Sequence, residues 1–331
     1  MVKMPIKISV IVTAYNRVNF LSTALNSLVD QTLEKDSFEV LLFTNFEYDA
    51  EKFNSLNLHH YILDGSVGEY MYQGIEKASG EIVTFLDDDD VFMPNKLLKL
   101  VKNFDDNFVY YKNDTVSFYH EPYRMDLLPD RSSNFHVITE KDLKKPNLYA
   151  YNRSSISIKK KFIMKYLDKL RLLEASEDWF FFFTIFDENK FGIKDPEILS
   201  LYRKHLSSSS QSIQPSDSNY DSYLRYLDKQ LASFSYMKEV FLNSKIHKII
   251  DYQISVFRIR KILLTYNLTD PYLKPDAKNV FMAILRNYNN RIILITIFIR
   301  CFVAIYWSGL YSLMNRAYIL FSKRLNRSKS I

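Results

Sequence analysis

Ile82-Val83-Thr84-Phe85-Leu86-Asp87-Asp88-Asp89-Asp90 is a run of strand-forming residues that ends in four consecutive carboxylates. A buried strand does not tolerate that much negative charge, so the acidic run belongs where the strand leaves its sheet and meets solvent or a cation. Carboxylates at the C-terminal end of a strand suit a hard divalent ion that keeps some waters and takes phosphate oxygens as further ligands. Taken alone, such a run also fits a solvated acidic turn. Context favours the ion: an apolar strand leads directly into the run, and Pro94 then opens a helix-like stretch from Asn95 to Leu100.

The surrounding segments alternate strand and helix. Residues 8–13 form a continuous apolar strand, with Asn16 as the expected cap of a helix over 18–29. Further strands are expected over 38–43 and 61–63; Gly65 and Gly68 then turn the chain into a helix that runs to Ala78 and stops at Gly80. Continuous apolar strands separated by helices predict an α/β fold: a mixed, mostly parallel, Rossmann-like sheet covered on both faces. Ligands of such sheets bind beyond the strand C-termini, where the acidic run lies. The texture from about 108 to 200 is mixed, with short strands expected over 108–111 and 155–158. Residues 206–219 are rich in Ser and Gln and contain Pro215, a flexible loop by composition. From Tyr220 onward apolar residues recur at helical spacing (Leu224, Leu227, Leu231, Phe234; Ile250, Ile254, Phe257, Leu264), which predicts a helical C-terminal extension.

Composition narrows the function classes. The 331 residues suffice for one large core or two smaller ones, and 47% apolar with 15% aromatic content excludes a disordered chain. A single cysteine, Cys301, excludes a disulfide framework and any cysteine-based zinc site. The net charge of +6 is unevenly spread, with basic clusters at Lys144-Lys145, Lys159-Lys160-Lys161 and in the tail at Lys323, Arg324, Arg327 and Lys329. Such patches suit a phosphorylated substrate or an anionic membrane surface. No nucleic-acid-binding motif accompanies them, so nucleic acid is not an expected partner. No glycine-rich turn follows the first strand, which excludes P-loop and dinucleotide enzymes. Only a few residues precede that strand and Pro5 interrupts them, so no signal peptide is expected and the catalytic part is placed in the cytoplasm.

Residues 292–313 are overwhelmingly apolar, broken by Arg300, with Tyr306, Trp307 and Tyr311 toward one end and Arg291 and Arg316 outside. The stretch meets the length of about 20 residues needed to span a bilayer, although an internal arginine costs about 2.5–3.5 kcal/mol on insertion scales. Basic residues at both ends fit a helix lying in the interface, or two short helices dipping in, better than a full span. A buried C-terminal helix is the alternative. The expectation is contact with the cytoplasmic face of a membrane through 291–316.

Three stretches together carry a family resemblance: Val10-Ile11-Val12-Thr13-Ala14-Tyr15-Asn16-Arg17, Gly74-Ile75-Glu76-Lys77-Ala78-Ser79-Gly80-Glu81-Ile82, and Phe85-Leu86-Asp87-Asp88-Asp89-Asp90. Their order and spacing resemble the inverting family 2 glycosyltransferases of the GT-A fold, closely over about 5–100 and more weakly to about 210. The resemblance implies that Asp87 sits by the donor ribose and Asp89 holds Mn2+ or Mg2+ on the donor diphosphate, with Asp88 and Asp90 as spacing or capping residues. It also implies that Thr13, Tyr15, Arg17, Asn45, Asp64 and Asp88 lie on the donor side. Ser176-Glu177-Asp178-Trp179 resembles the family's acidic pair at a helix start, which implies Asp178 as catalytic base with Glu177 in support. Acidic residues also favour helix N-termini for electrostatic reasons alone. Tyr202-Arg203-Lys204-His205 resembles the segment that reaches diphosphate and metal, implying phosphate recognition by Arg203 and metal ligation by His205.

The chain departs from the family pattern at Thr44-Asn45, where an acidic pair is usual, and at Met71-Tyr72, where Arg-Asn is usual. The implied division is a donor-binding half over 1–115, an acceptor-binding half with base and lid loop over 116–212, and a helical region over 213–331. The implied partners are a UDP- or GDP-sugar donor and a glycan or lipid-linked acceptor. The non-enzyme alternative is a degenerate GT-A scaffold in membrane glycan assembly. A glycoside hydrolase would use two carboxylates without an acidic metal cluster or a nucleotide fold.

Overall fold

In the computed structural model the described residues are 6–119, 134–205 and 220–265. The loop over 206–219, the segment over 291–316, Cys301 and the basic tail all lie outside them. The chain divides into two compact units, 1–250 and 251–331.

The first unit is built on one nine-stranded sheet. Its strands are β1 (Ile8–Ala14), β2 (Phe38–Thr44), β3 (Leu58–Ile62), β4 (Ile82–Asp87), β5 (Val91–Phe92), β6 (Tyr110–Phe118), β7 (His136–Ile138), β8 (Ile156–Lys159) and β9 (Gly192–Arg203). The order is β3-β2-β1-β4-β8-β6-β9-β5, with β7 also paired to β9. The run β3-β2-β1-β4 is parallel throughout, and antiparallel pairs begin where β8 meets β4. Every residue of β1 and β2 is buried, as their continuous apolar character requires.

The helices are α1 (Leu21–Val29), α2 (Val67–Lys77), α3 (Lys96–Asn103), α4 (Asn147–Ala150), α5 (Lys160–Ile163), α6 (Leu167–Arg171), α7 (Glu177–Asp187), α8 (Tyr220–Val240) and α9 (Ser244–Thr265). Ser66 caps α2 by accepting the Glu69 N–H at 3.1 Å. Gly68 in α2 abuts α6: a Cβ there would stand 2.4 Å from the Leu170 carbonyl oxygen, so no other residue fits without moving backbone. Asn16 does not cap α1, whose N-cap is Phe20 without a side-chain bond; Asn16 instead takes φ +54° at the end of β1. Asp90 does not cap α3 either, because Asn95 stands at that position and Asp90 turns inward.

The twelve-residue β9 contains Pro196, which falls where its pairing with β6 shifts register between Asn113 and Asp114. A bulge tolerates the missing N–H of proline, so the strand continues past it to Arg203. Among the described residues no helix is long and apolar enough to cross a membrane.

Candidate active site

Parallel register sets the first part of the site. Thr13 and Asp87 are side-by-side partners at the C-terminal ends of β1 and β4, and Ala14 pairs with Thr44 one step further. Beyond that edge the Asn16 N–H donates to Asn45 Oδ1 at 2.8 Å, and the Asn45 amide donates back to Asn16 Oδ1 at 2.7 Å. The left-handed Asn16 backbone is one that asparagine tolerates, and this reciprocal pair holds it. Tyr15 OH reaches Asp64 Oδ1 at 3.5 Å, so Tyr15, Asn45 and Asp64 share one edge.

The acidic turn is already neutralised in part. Arg17 Nε donates to Asp88 Oδ2 at 2.7 Å, its Nη2 pairs with both Asp88 and Asp89, the latter at 2.8 Å, and its Nη1 lies 3.3 Å from His205 Nε2. His205 Nε2 stands 2.8 Å from Asp89 Oδ2, and its ring packs on Phe20 at 4.7 Å. Burial pushes the Asp88 carboxyl up to about 6 against the Arg17 hydrogen bond, and the charge of Asp89 adds to the rise. Arg203 is buried between Phe20 and Phe118; its N–H donates to Asp90 Oδ1 and its Nε to the Asp89 carbonyl, both at 3.0 Å.

Asp89 and His205 fit a divalent ion in position and chemistry: an oxygen and a nitrogen ligand side by side, with a guanidinium already against both. Among the described residues no group of three or more His, Cys, Asp or Glu side chains is arranged to hold a metal. The pair would therefore hold an ion together with phosphate oxygens and water.

The second part of the site is the start of α7. Ser176 takes the left-handed conformation at φ +61° just before Glu177, and its hydroxyl donates to Gln230 of α8. The Glu174 and Ala175 N–H groups both donate to Ser233 Oγ, at 3.3 and 3.0 Å. Trp179 packs against Phe234 at 5.5 Å and Phe180 against Phe241 at 5.1 Å. Helix α8 thus fixes the segment that presents Glu177 and Asp178. The Asp178 carboxyl is pushed well above the usual carboxylate range, by burial first and then by the charge of Glu177. Phe180 to Phe183 are all buried, as expected of core-facing aromatics that need no ligand.

One residue that sequence reasoning missed joins the two parts. Arg153 donates from Nη1 to Glu177 Oε1 at 2.7 Å and from Nη2 to Thr13 Oγ1 at 2.8 Å and to Asp87. It opens a 3-10 turn, Arg153–Ser155, that follows Asn152 at φ +67° and runs across the strand ends. The Asp87 N–H donates to Ser154 Oγ at 3.0 Å. Two buried lysines support the turn from beneath: Lys96 donates to the Ser154 carbonyl at 2.5 Å, and Lys112 donates to Ser155 Oγ. Burial pulls the Lys112 amine down to about 7. Among the described residues, the buried side-chain atoms without a hydrogen-bond partner are Asp90 Oδ2, Asn113 Oδ1, both amide atoms of Asn152, and Arg153 Nε. Asn113 reaches Ser200, which Lys96 also contacts, so this set belongs to one polar region around the turn. The only available sequence signal was indirect: an arginine in Asn152-Arg153-Ser154-Ser155, directly before an apolar strand.

The family model described as Glycosyl transferase family 2 matches residues 9–167, a little under half of the chain. Residues 9–167 belong to that family. Within it, the poly(ribitol-phosphate) β-N-acetylglucosaminyltransferase TarS of Staphylococcus aureus is 37% identical over 93 residues, 25% of this chain and 16% of TarS. The chain spans a third or less of the length of the curated relatives it first matches. A structure of S. aureus TarS with UDP-GlcNAc has a TM-score of 0.55 at 17% identity, over 97% of this chain and 92% of that one. The mannosyltransferase PcManGT of Pyrobaculum calidifontis, with GDP-Man and Mn2+, has a TM-score of 0.51 at 14% identity, over 95% and 88%. These structures share the fold, an α/β GT-A sheet with flanking helices and helices toward the C-terminus.

Proposed function

We propose that this chain is a metal-dependent, inverting glycosyltransferase that moves a sugar from a nucleoside diphosphate donor, UDP- or GDP-linked, to a glycan or lipid-linked acceptor. The observation that carries the proposal is the pairing of a cation-holding acidic turn with a partly buried acid at a helix start, joined by one arginine. Family membership over 9–167 supports it, as do the UDP-GlcNAc and GDP-Man that the structural neighbours bind.

In this proposal residues 1–115 bind donor, 116–212 supply acceptor contacts, base and lid, and 213–331 are the helical region. Thr13, Tyr15, Asn45 and Asp64 line the base and ribose, and Asp87 meets the ribose. Arg17, in exchange with Asp88, and Arg203 place positive charge beside the diphosphate. Asp178 takes the proton of the acceptor hydroxyl as its oxygen bonds to the anomeric carbon, and the bond from that carbon to the diphosphate oxygen breaks on the opposite face. Mn2+ or Mg2+ held by Asp89 and His205 would supply Lewis-acid stabilisation of the leaving diphosphate. The proposal includes contact of 291–316 with the cytoplasmic face of a membrane, and the apolar sequence there with the basic clusters is the reason for a membrane-associated acceptor.

Thermal shifts with UDP, GDP, CDP and dTDP, each with and without Mn2+, test the proposal on wild type and Asp89→Ala. A ligand at a hundred times its dissociation constant stabilises by about 2.7 kcal/mol, a shift of a few degrees. One metal-dependent shift, absent in the variant, is expected. No shift with any nucleotide would favour the degenerate scaffold instead.

A further inference from the structure

We propose that Arg153 is a positioning residue that couples donor seating to the catalytic base, an inference that rests on the glycosyltransferase reading above. One planar guanidinium holds three groups at once: Thr13 and Asp87 at the donor edge through Nη2, and Glu177 at the start of α7 through Nη1. Its fork is rigid, so a displacement of Asp87 is passed to Glu177 as a rotation of the same plane. The side chain is 9% exposed, so a guanidinium that lost either carboxylate would be left short of a partner away from solvent.

The backbone that carries it is constrained from both sides. Asn152 is left-handed, with both amide atoms buried and without partners. Ser154 is tied to the Asp87 N–H, and its carbonyl to Lys96. On the receiving side, Ser176 is also left-handed and is anchored to Gln230. Two segments in uncommon conformations therefore meet through one arginine, which is where a small movement finds definite end states.

The hydrogen bonds give the second consequence. Arg153 sets one positive charge against the two of Asp87 and Glu177, leaving Asp178 as the carboxyl of the acidic pair that no guanidinium hydrogen bond occupies among the contacts described. Ligands that settle on Thr13 and Asp87 should thereby order the N-terminal turn of α7 although they do not touch it.

The test compares wild type, Arg153→Lys and Arg153→Met, with hydrogen exchange at the Glu177–Trp179 amides read with and without UDP or GDP plus Mn2+. Turnover of UDP-GlcNAc and GDP-mannose is read alongside. In wild type, nucleotide should slow exchange at those amides. Arg153→Lys keeps the charge but loses the fork, so it should bind nucleotide, lose that remote protection, and turn over about 10²-fold more slowly, the usual cost of a misplaced reacting group. Arg153→Met should also move the acid limb of the pH–rate profile to higher pH. If Arg153→Met does not fold, Arg153→Lys and the double variant Arg153→Met/Glu177→Gln carry the test.

Arg153→Lys with lowered thermal stability, but with protection, turnover and pH profile like wild type, would overturn the coupling and leave a structural arginine. Wild type that neither binds nor turns over any of these donors would overturn the functional reading itself, and the coupling with it.

Discussion

The proposed donor edge and the helix start proposed to carry the base hold their carboxylates by different constructions. At the donor edge the site residues sit on consecutive parallel strands, and register alone sets Thr13 beside Asp87. At the helix start, Glu177 and Asp178 depend on the 152–155 turn, on Lys112 and on α8, none of them near in sequence. The first region is polar and partly open; the second is backed by a buried, largely aromatic stretch from Trp179 to Phe186. A strand end can hold charge because the sheet supplies its geometry. A helix start lacks that scaffold, so its carboxyls are positioned by packing from other segments.

The largest effect expected from breaking this pair is at Asp178. Asp178→Asn should cut turnover by about 10³-fold, within the range of general base catalysis, while nucleotide binding by calorimetry stays within a factor of two. Equal losses in binding and turnover would remove the distinction between the regions.

Next is the aromatic stack that joins them. Phe181 of α7 lies parallel to Phe85 of β4 at 4.8 Å, and both are fully buried. Phe181→Ala should cost about 3–5 kcal/mol of stability by chemical denaturation, the usual loss for a large aromatic removed from a core.

Smaller still is the effect of removing the cation at the acidic turn. Arg17→Gln frees Asp88, Asp89 and His205 from the guanidinium, so Mn2+ titrated without nucleotide should bind about tenfold tighter, of the order of one charged hydrogen bond. Unchanged or weaker Mn2+ binding would show that Arg17 does not compete for that position.

The smallest effect is a shift in pH. With Asp178 raised and, in the proposed role of base, needed deprotonated, kcat/KM should fall as pH drops through a value above the ordinary carboxylate range. Removing the neighbouring negative charge with Glu177→Gln should move that limb to lower pH, and a limb near 4 in wild type would contradict the raised carboxyl.

Much of the donor edge was legible in sequence because its signals are local. The acidic run ends β4, and continuous apolar strands mark a sheet covered on both faces. The errors there are short-range: Asn16 was expected as a helix cap and takes a left-handed conformation just past β1, since its partner Asn45 lies just past the neighbouring strand β2 and leaves no trace near residue 16. The third strand was expected over 61–63 but is Leu58–Ile62, because His59, His60 and their neighbours interrupt the apolar run that periodicity detects.

The base side was legible only as a pair of acids. Buried Lys96, Lys112 and Arg153 break the rule that charged residues face water, and the side-chain hydrogen bonds described for them all go to partners 24 or more residues away. The full extent of β9 was hidden by Pro196, which disfavours a strand unless a bulge receives it.

The sequence by itself determined that the first two strands are buried on both faces, where the carboxylates emerge and which family the first half resembles. Each of these follows from neighbours within one or two turns or strand steps. Tertiary structure alone decided that Arg17 occupies the acidic turn, that Arg153 ties Asp87 to Glu177, and that Asp178 is raised. Those are matters of distance and desolvation between segments far apart in the chain, and no local pattern encodes a Coulomb interaction whose strength the fold itself sets.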